Sequence, residues 1–527
     1  MKNIKKLELS ENYSVFSPAD GQEVGNYPLM DRAAVDEAVQ RARERFPFWA
    51  DVPMTERRKI LRKVASVLSE NADYYAEIIA RETGKTKLDA LLADIYSTLD
   101  LLKYYSKKAN KLLKPVRASG NPLLPGRKLY YRFEPKGVVG IIAPWNYPFT
   151  LLAGPAISAL TAGNTVVLKP SSQTTESGLI FQEIMEKAGL PQGVIQVITG
   201  NGSVTGQALV ENHDLDMIFF TGSTQVGKDI NVQAAKRLIP TMMELGGKDV
   251  SIVTRNANLD RAAHGTLWGG ITNSGQTCIG TELILVDRAV YDAFLTKIVP
   301  LAKNLKSGRE AGQVGSMTMR SQFRIVEEQL KDALEKGASV LVGGKVDRDQ
   351  KGLYFPPTIL VDTTPDMLVR KEETFGPLLP VIPYDSLEEA VRMANQSEYG
   401  LSGSVFTTDM DEGRWVANRL KTGSVNINDV LVTYAYPSLP FGGVKKSGIG
   451  SYHGEIGLRA FTNVKSVTEF GWNLKRELFW YPVPEGGDKV AASLLAALFS
   501  GNPLRRLTSA VRAGIQVIQI AWSRRKQ

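Results

Sequence analysis

The stretch Gly137-Val-Val-Gly-Ile-Ile-Ala143 is an apolar run of the length expected for a strand buried on both faces of a parallel sheet. A second run of this kind, Asn164-Thr-Val-Val-Leu168, follows a predicted helix over residues 153–162. Buried strands that alternate with helices are typical of right-handed βαβ units. These residues therefore predict an α/β protein organised around a parallel sheet.

The same alternation continues on both sides of this unit and gives two α/β series. The predicted helices repeat apolar residues at intervals of three and four, and the predicted strands are short apolar runs. In the first series we predict helices at 33–46, 55–71, 177–188 and 225–237 and strands at 129–135, 194–198, 217–220 and 241–244. In the second we predict helices at 259–269, 288–303 and 320–336 and strands at 249–253, 339–342, 358–360 and 378–384.

Most of the net positive charge of the chain lies in its last 27 residues. The 527 residues carry a formal charge of +9, but residues 501–527 contribute six Lys/Arg and no acid, which leaves +3 for the other 500 residues. This distribution argues against a basic groove for nucleic acid. Residues 1–6 are positively charged but precede no apolar core, so we expect no signal peptide and a cytoplasmic protein.

Cys278 is the only cysteine and lies in Asn273-Ser-Gly-Gln-Thr-Cys-Ile-Gly280. Because it cannot form an internal disulfide, it is a buried apolar filler, a metal ligand or a nucleophile. Its small, polar, turn-forming neighbours argue against a filler. The three scattered histidines argue against a zinc site, and we predict no metal.

A glycine-containing motif, Phe220-Thr-Gly-Ser-Thr-Gln-Val-Gly-Lys228, lies between a predicted strand and a predicted helix. Gly222 permits a close approach of the backbone to a ligand, and the start of the helix offers N–H groups to a phosphate. The spacing differs from the Gly-x-Gly-x-x-Gly of the usual dinucleotide fingerprint. An ordinary strand-to-helix turn is the alternative.

Four more motifs follow predicted strand ends or turns, and open α/β sheets bind ligands at the strand ends. Each offers an amide, a cation or a carboxylate, and each has a plain alternative as a turn residue or a solvated surface charge. The motifs are Pro144-Trp-Asn-Tyr-Pro148, Lys169-Pro-Ser-Ser172, Glu244-Leu-Gly-Gly-Lys248 and Lys371-Glu-Glu-Thr-Phe-Gly-Pro377.

In this order and at these separations, the motifs resemble the aldehyde dehydrogenase superfamily over about residues 13–467. The resemblance implies that Cys278 is the nucleophile, Asn146 the oxyanion-hole amide and Glu244 the general base. It also implies a set of contacts to NAD or NADP: Trp145, Lys169, Ser172, Gly222, Ser223, Gly227, Glu373 and Phe375.

The resemblance further implies the domain organisation. Residues 1–115 and 134–246 would form a Rossmann-like, parallel-sheet dinucleotide-binding domain, and residues 247–440 an α/β catalytic domain. Residues 116–133 and 441–472 would form a small β-arm for oligomerisation, which predicts a homodimer, with a tetramer as the alternative. Residues 473–527 would be a C-terminal extension outside the family pattern.

The implied reaction is the oxidation of an aldehyde through a cysteine thiohemiacetal and a thioester. Glu244 favours hydrolysis to the free acid, because members that pass the acyl group to coenzyme A generally lack this glutamate. Ser172 stands where many NAD-preferring members have an acid, and a serine tolerates the 2′-phosphate that a carboxylate repels, so we expect NADP as well as NAD. An inactive binding or structural protein is the remote alternative, since all three catalytic positions are filled.

The motifs at 428–432, 438–444 and 448–454 are similar to the class 3 branch of the superfamily. This implies an apolar substrate tunnel lined by Tyr147, Leu151, Tyr434 and Tyr436. We expect a medium-chain, long-chain or aromatic aldehyde, because no Arg or Lys stands out there as a clamp for a carboxylate. A semialdehyde such as succinate semialdehyde is the alternative.

The C-terminal extension carries one apolar stripe with residues at intervals of three and four: Leu504, Leu507, Val511, Ile515, Ile518 and Trp522. Arginines lie off the stripe, and Arg524-Arg-Lys526 closes the segment. A basic amphipathic helix of this kind indicates a peripheral membrane anchor over residues 504–526. Docking on the enzyme's own surface or on a partner subunit is the alternative.

Overall fold

The computed structural model describes residues 11–121, 124–308, 313–472, 477 and 480–523, with the side chains of 521–523 excepted. The chain forms two compact units. The first consists of Met1–Lys114 and Phe133–Asn463, and the second of Pro115–Arg132 and Val464–Gln527. The Trp522 side chain and the basic cluster at 524–526 lie outside the described residues.

The first sheet contains the strands predicted from the two apolar runs. In spatial order its strands are β17 (Gly448–Ile449), β9 (Thr241–Glu244), β8 (Met217–Thr221), β5 (Val138–Ile142), β6 (Thr165–Lys169) and β7 (Ile195–Val197). All neighbours are parallel except β17 and β9. This arrangement confirms the predicted α/β fold with a parallel sheet.

Both faces of this sheet are covered by helices. The helices of this part of the chain are α1 (Arg32–Asp51), α2 (Met54–Glu70), α3 (Ala72–Thr83), α4 (Lys87–Asp89), α5 (Ser97–Leu112), α6 (Thr150–Ala162), α7 (Thr175–Lys187), α8 (Gln207–Glu211) and α9 (Thr224–Ala235). Side chains alternate along β5, so Val139 and Ile141 join one apolar cluster while Val138 and Ile142 join another. Burial on both faces explains why the strand is apolar at every position.

The second sheet is larger and is also mostly parallel. In spatial order its strands are β12 (Ser339–Val342), β13 (Thr358–Val361), β14 (Leu378–Tyr384), β11 (Thr281–Asp287), β10 (Asp249–Val253), β15 (Gly403–Phe406) and β16 (Asn426–Ile427). The helices in this part of the chain are α10 (Leu259–Ile271), α11 (Tyr291–Lys303), α12 (Arg320–Glu335), α13 (Leu368–Lys371), α14 (Leu387–Gln396), α15 (Met410–Ala417) and α16 (Gly454–Ala460). The central strand β11 begins three residues after Cys278 and was not predicted.

Two smaller sheets are formed by strands outside the two large sheets. A hairpin pairs β1 (Asn12–Phe16) with β2 (Glu23–Pro28), and a three-stranded sheet has the order β18 (Thr462–Phe470), β4 (Arg127–Pro135) and β3 (Val116–Arg117). The latter strands lie largely in the segments predicted as a β-arm. One part of that prediction is corrected: β17 lies in the predicted arm, but it pairs with β9 in the first sheet. The other domain boundaries stay predictions.

The C-terminal extension forms two helices, α17 (Gly487–Phe499) and α18 (Pro503–Ser523). The sequence predicted the second of them but not the first. Within the described residues, every helix falls short of the length and apolarity that crossing a membrane requires.

Candidate active site

One cavity of about 520 Å³ lies beside the carboxyl ends of β5, β8 and β9. This is the edge at which parallel α/β sheets bind their ligands. It brings together nine of the predicted site residues from five separate segments of the chain: Trp145, Asn146, Leu151, Gly222, Ser223, Glu244, Cys278, Glu373 and Phe375. The three predicted catalytic side chains therefore face one space.

The turn before Cys278 has an unusual backbone. Asn273, Ser274 and Gly275 have φ angles of 50°, 56° and 72°, in the left-handed region that side chains disfavour. Hydrogen bonds hold the turn: Asn273 Nδ2 donates to the Gln276 carbonyl at 3.3 Å, and Gln276 Nε2 donates to the Asn273 carbonyl at 2.9 Å. The polar residues of the motif thus build the turn that presents the thiol, which a buried apolar filler would not need.

Asn146 is tied to the same turn. The Asn146 side-chain Nδ2 donates to the main-chain carbonyl of Gln276 at 3.0 Å. The main-chain carbonyl of Asn146 accepts from Asn273 Nδ2 at 2.9 Å. A primary amide has two N–H groups, so one donor remains for a substrate oxygen. Asn146 and Cys278 are therefore held by one hydrogen-bonded unit.

Glu244 is the last residue of β9 and is buried. Neither of its carboxylate oxygens has a hydrogen-bond partner among the described residues. Burial raises the pKa of the Glu244 carboxyl well above its ordinary value. A buried acid without a partner costs stability, and such groups concentrate at reactive sites because a raised pKa makes a better base.

The two glycines after Glu244 provide space for neighbouring groups. A Cβ on Gly246 would collide with the Glu373 carboxylate, and a Cβ on Gly247 would collide with the main-chain carbonyl of Cys278. The Gly247 N–H also donates to Glu373 Oε1 at 2.9 Å. The Glu-Leu-Gly-Gly-Lys motif therefore lets Glu373 and Cys278 lie against the same segment of backbone.

Phe375 is held by a buried ion pair that the sequence did not reveal. Glu282 accepts from the N–H groups of Thr374 and Phe375 at 2.9 and 2.8 Å, and Lys248 Nζ donates to it at 2.6 Å. Phe375 needs this support because its φ is 48°. Its ring meets Trp145 edge to face, with centroids 5.4 Å apart. We refer to Glu282 and Lys248 as the clamp pair.

The surroundings of the Cys278 thiol favour its neutral form. Burial raises its pKa above the ordinary value, and the negative charges of Glu244, Glu373 and Asp249 raise it further. Burial, together with the charge of Glu282, also raises the pKa of Glu373. A thiol in this setting needs a base to accept its proton before it can attack.

A second buried ion pair supports the substrate side of the cavity and was also missed. Lys85 Nζ lies 2.7 Å from Asp94 Oδ2 and 4.1 Å from the ring centroid of Tyr147. Asp94 Oδ1 accepts from the N–H of Thr150 at 3.1 Å, and the Tyr147 hydroxyl lies 2.6 Å from Thr277 Oγ1. The segment that follows Asn146 is thus fixed from behind. Asp94 lies in a helical segment and Lys85 in the loop after α3, and neither gave a sequence signal for this role.

The other predicted residues lie outside the cavity lining. Lys169 is buried, donates to the Pro170 carbonyl at 3.0 Å and has a pKa lowered by burial to about 8. Gly227 lets α9 pack closely, because a Cβ there would collide with Leu245. Ser172 is half-buried. On a separate point, the described residues contain no group of three His, Cys, Asp or Glu side chains that could hold a metal ion. The cofactor roles of these three residues stay predictions.

The predicted tunnel residues divide into two groups. Leu151 lines the cavity, and Tyr147 is buried next to the Cys278 turn. Tyr434 packs edge to face on Phe441, with centroids 5.0 Å apart. Tyr436 is 56% exposed and does not line the cavity, so its predicted place in the tunnel receives no support from the structure.

The fold and the site together define a class: an α/β enzyme with a cysteine nucleophile, an amide donor and a carboxylate base in one cavity. The comparisons with known proteins give the family. The family model described as Aldehyde dehydrogenase family matches residues 6–467. The chain belongs to the aldehyde dehydrogenase family, as the sequence motifs predicted.

Relatives and solved structures agree with this assignment. The chain is 37% identical over 517 residues to a 4,4'-diapolycopene aldehyde oxidase of Methylomonas sp, covering 97% of this chain and 96% of the relative. It is 37% identical over 469 residues to a putative succinate-semialdehyde dehydrogenase [NADP(+)] of Mycolicibacterium smegmatis, covering 88% and 90%. A Mycobacterium tuberculosis aldehyde dehydrogenase complexed with NAD+ is similar in structure, with TM-score 0.84, 34% identity and coverage of 89% and 97%.

Proposed function

We propose that the protein oxidises a long, apolar aldehyde to its carboxylic acid, with NADP or NAD as the hydride acceptor. The observation that carries the proposal is the buried, unpartnered Glu244 in the same cavity as Cys278 and Asn146. These three groups supply a base, a nucleophile and an oxyanion donor, which are the parts that aldehyde oxidation and thioester hydrolysis require.

The residues present fit a nicotinamide dinucleotide. Gly222 and Ser223 line the cavity just before the N-terminus of α9, where free N–H groups suit a phosphate. Phe375 offers a flat apolar surface beside Cys278, and Glu373 offers a carboxylate for a ribose hydroxyl. When bound, the nicotinamide would accept the hydride that leaves the cysteine adduct.

The acylation half of the reaction follows from the resting charges. Glu244 accepts the thiol proton, and Cys278 Sγ forms a bond to the aldehyde carbon. The carbonyl oxygen becomes negative and accepts hydrogen bonds from the Asn146 amide and the Cys278 main-chain N–H. Loss of one such donor typically costs about 3 to 4 kcal/mol of transition-state stabilisation.

The deacylation half releases the acid. Glu244 takes a proton from a water molecule, whose oxygen attacks the thioester carbon. The C–S bond then breaks, and the Cys278 sulfur recovers a proton as the carboxylic acid leaves. A carboxylate with a raised pKa suits both proton transfers, because its pKa then lies nearer to the operating pH.

Two observations favour an apolar substrate. Leu151 lines the cavity next to the predicted catalytic groups, and one relative, similar over 97% of the chain, is named as a 4,4'-diapolycopene aldehyde oxidase. The succinate-semialdehyde dehydrogenases among the relatives keep the semialdehyde as the second candidate. The cavity lining contains no Lys or Arg among the described residues, and a substrate carboxylate would lack a cation there.

The experiment that tests the proposal is a series of aldehydes of increasing chain length, together with benzaldehyde and succinate semialdehyde, assayed with NAD and with NADP. We expect kcat/KM to rise with chain length and succinate semialdehyde to be a poor substrate. A preference for succinate semialdehyde would replace the proposal with its alternative. No reduced nucleotide from any aldehyde would indicate an inactive protein.

We also propose that the enzyme is a cytoplasmic homodimer held peripherally at a membrane surface. The dimer would form through the three-stranded sheet of β3, β4 and β18, and the membrane contact through residues 504–526. The amphipathic pattern of α18 supports the membrane contact, because its apolar stripe is flanked by arginines. Attachment at a bilayer would also place the enzyme where apolar aldehydes accumulate.

A further inference from the structure

The N-terminus of α7 is capped by a side chain from another helix. Thr174, the residue before α7, makes no side-chain hydrogen bond to the helix, and its hydroxyl is buried without a partner among the described residues. Glu82 of α3 takes this role, because its carboxylate accepts from the N–H groups of Glu176 and Ser177 at 2.7 and 2.9 Å. It also accepts from Ser177 Oγ at 2.8 Å. The first N–H groups of a helix lack partners within the helix, and a negative charge there is favourable.

Glu82 is buried at the contact between the two helices, with an exposed fraction of 1%. Burial raises the pKa of Glu82 to about 7, and the hydrogen bonds from α7 act in the opposite direction. A buried carboxylate is costly unless donors satisfy it, and these donors lie 94 and 95 positions further along the chain. The carboxylate therefore joins α3 to the first turn of α7 only in the folded chain.

The capped turn of α7 fixes residues 170–174, which we call the β6–α7 turn. Strands β5 and β6 are parallel neighbours, so this turn leaves the first sheet at the edge where the cavity lies. The Ser171 carbonyl accepts from the Thr174 N–H at 3.1 Å. Gly178 brings α7 against Pro170, since a Cβ on Gly178 would collide with the proline ring. The β6–α7 turn is therefore held by both β6 and α7, and a shift of the first turn of α7 would move it.

The β6–α7 turn contains Ser172, which we expect near the adenosine ribose of the nucleotide. We infer that Glu82 is a positioning residue for the adenosine end of NAD or NADP. It acts through α7, because it holds the helix N-terminus and thereby keeps the β6–α7 turn in the place where that end binds. This inference rests on the proposed use of a nicotinamide dinucleotide and adds to it the group that positions the turn.

The test uses two variants of the full chain. Glu82→Gln places an amide N–H group against a helix N–H group, and Ser177→Ala removes one donor to Glu82 while leaving both main-chain contacts. Glu176→Gln is the matched control, because its carboxylate contacts Arg81 at 3.0 Å across the same pair of helices but is partly exposed. None of these residues lines the cavity.

The readouts separate the two ends of the nucleotide. Octanal oxidation gives kcat and KM for whichever of NAD and NADP the wild type uses better. ADP has the adenosine end that NAD and NADP share, and nicotinamide mononucleotide has the other end, so their inhibition constants report on each end alone. The assays are run at about pH 8.5, above the pKa of Glu82, so that its carboxyl is ionised.

We expect Glu82→Gln to raise the KM for the nucleotide and the inhibition constant of ADP about tenfold, and Ser177→Ala to raise both about threefold. The value of kcat, the inhibition constant of nicotinamide mononucleotide and the nucleotide-free hydrolysis of p-nitrophenyl acetate should stay within about twofold of wild type. The control should stay within about twofold in every readout. A cap that served stability alone would lower the unfolding temperature and leave the ADP constant unchanged.

An ADP constant that is the same in the wild type and both variants would overturn the inference. A parallel rise for nicotinamide mononucleotide would also overturn it, because the effect would then not belong to the adenosine end. If Glu82→Gln does not fold, an unchanged ADP constant in Ser177→Ala is sufficient to reject the inference. A wild type that binds neither NAD nor NADP would refute the proposed function and this inference together, whereas an active wild type with unchanged variants would refute the inference alone.

Discussion

At the scale of single residues, the reacting groups share one negative charge. Glu244 is buried and Cys278 half-buried, and the desolvation of the thiol together with the charge of Glu244 raises the thiol pKa. Transfer of the thiol proton to Glu244 keeps one negative charge in the cavity, whereas loss of that proton to solvent would leave two, which a buried site tolerates less well. The same carboxyl must lose that proton before it can activate water, so one residue serves both halves of the reaction.

Glu244→Gln should separate these two halves. The amide cannot accept a proton from water, so we expect steady-state turnover to fall by about 10²-fold to 10⁴-fold, the usual contribution of a general base. A burst of reduced nucleotide should persist if solvent can accept the thiol proton in its place. Rapid mixing with octanal measures both. The control is Glu372→Gln, a neighbouring cavity carboxyl, which should retain turnover.

The raised pKa of Cys278 predicts the pH dependence of its alkylation. Only the thiolate reacts, so the rate rises as pH passes through the thiol pKa, and we expect a midpoint above the ordinary value of about 8.5. Glu373→Gln removes one of the charges that raise this pKa and should move the midpoint to lower pH. Iodoacetamide labelling of the single cysteine measures it. A midpoint at or below about 8.5, the ordinary pKa of a cysteine thiol, would contradict this account.

Ser172 predicts the nucleotide preference. Ser172→Glu would place a carboxylate near the expected 2′-phosphate, and a repulsion of about 1.4 kcal/mol corresponds to a tenfold change in an equilibrium. We therefore expect the ratio of kcat/KM for NADP to that for NAD to fall about tenfold. Ser172→Gln is the matched control, because it has the same size without the charge. An unchanged ratio in the glutamate variant would remove Ser172 from the cofactor site.

At the scale of elements, the clamp pair connects two strands of the second sheet to the Phe375 loop. Lys248 stands immediately before β10, and Glu282 lies in β11. Thr374, whose N–H donates to Glu282, is 92 positions further along the chain than Glu282. Such a contact fixes the loop that carries Glu373 and Phe375 without touching the substrate. It therefore acts by positioning.

Glu282→Gln should loosen this loop while the catalytic residues stay in place. The amide keeps the shape but leaves Lys248 buried without its counter-charge. We expect kcat/KM for NADP to fall about tenfold to 100-fold, because small displacements of positioning groups carry costs of this order. Hydrolysis of p-nitrophenyl acetate needs Cys278 but no nucleotide, and we expect it to change less than about twofold. Glu282→Asp should recover part of the loss, and a parallel loss of ester hydrolysis would indicate general unfolding instead.

The same elements explain which parts of the structure were predictable. Strands β5, β6 and β8 are buried at every position, and each contains at least three consecutive apolar residues or glycine that reveal it in the sequence. Strand β11 is equally buried, but it begins with Thr281 and Glu282, and this polar start hid it. Glu282 and Asp94 resemble surface acids in the sequence, because the residues that donate hydrogen bonds to them lie far along the chain and are brought near only by the fold. Motif spacing identified the predicted catalytic residues, which line one cavity, but it could not locate these supporting acids.

At the scale of the whole molecule, the two units have separate tasks. Every residue that lines the cavity belongs to the first unit, while the second contains β3, most of β4 and β18, and helices α17 and α18. We therefore expect changes in the second unit to affect the aldehyde chemistry only indirectly. Within the described residues, β18 pairs on one side only, with β4, which leaves an open strand edge.

An open edge strand with exposed apolar residues invites pairing with a second copy. Val464 is such a residue, 62% exposed on β18. We expect the protein to scatter light as a homodimer of about 116 kDa, twice the chain mass of 57.8 kDa. Val464→Asp should shift it towards the monomer, because it replaces an exposed apolar side chain on the proposed contact side with a charge. Asn463→Asp, which places the same charge on the opposite side of the strand, should leave the dimer intact. A wild-type mass of one chain, or of four, would replace the homodimer, and equal masses for the two variants would move the interface away from β18.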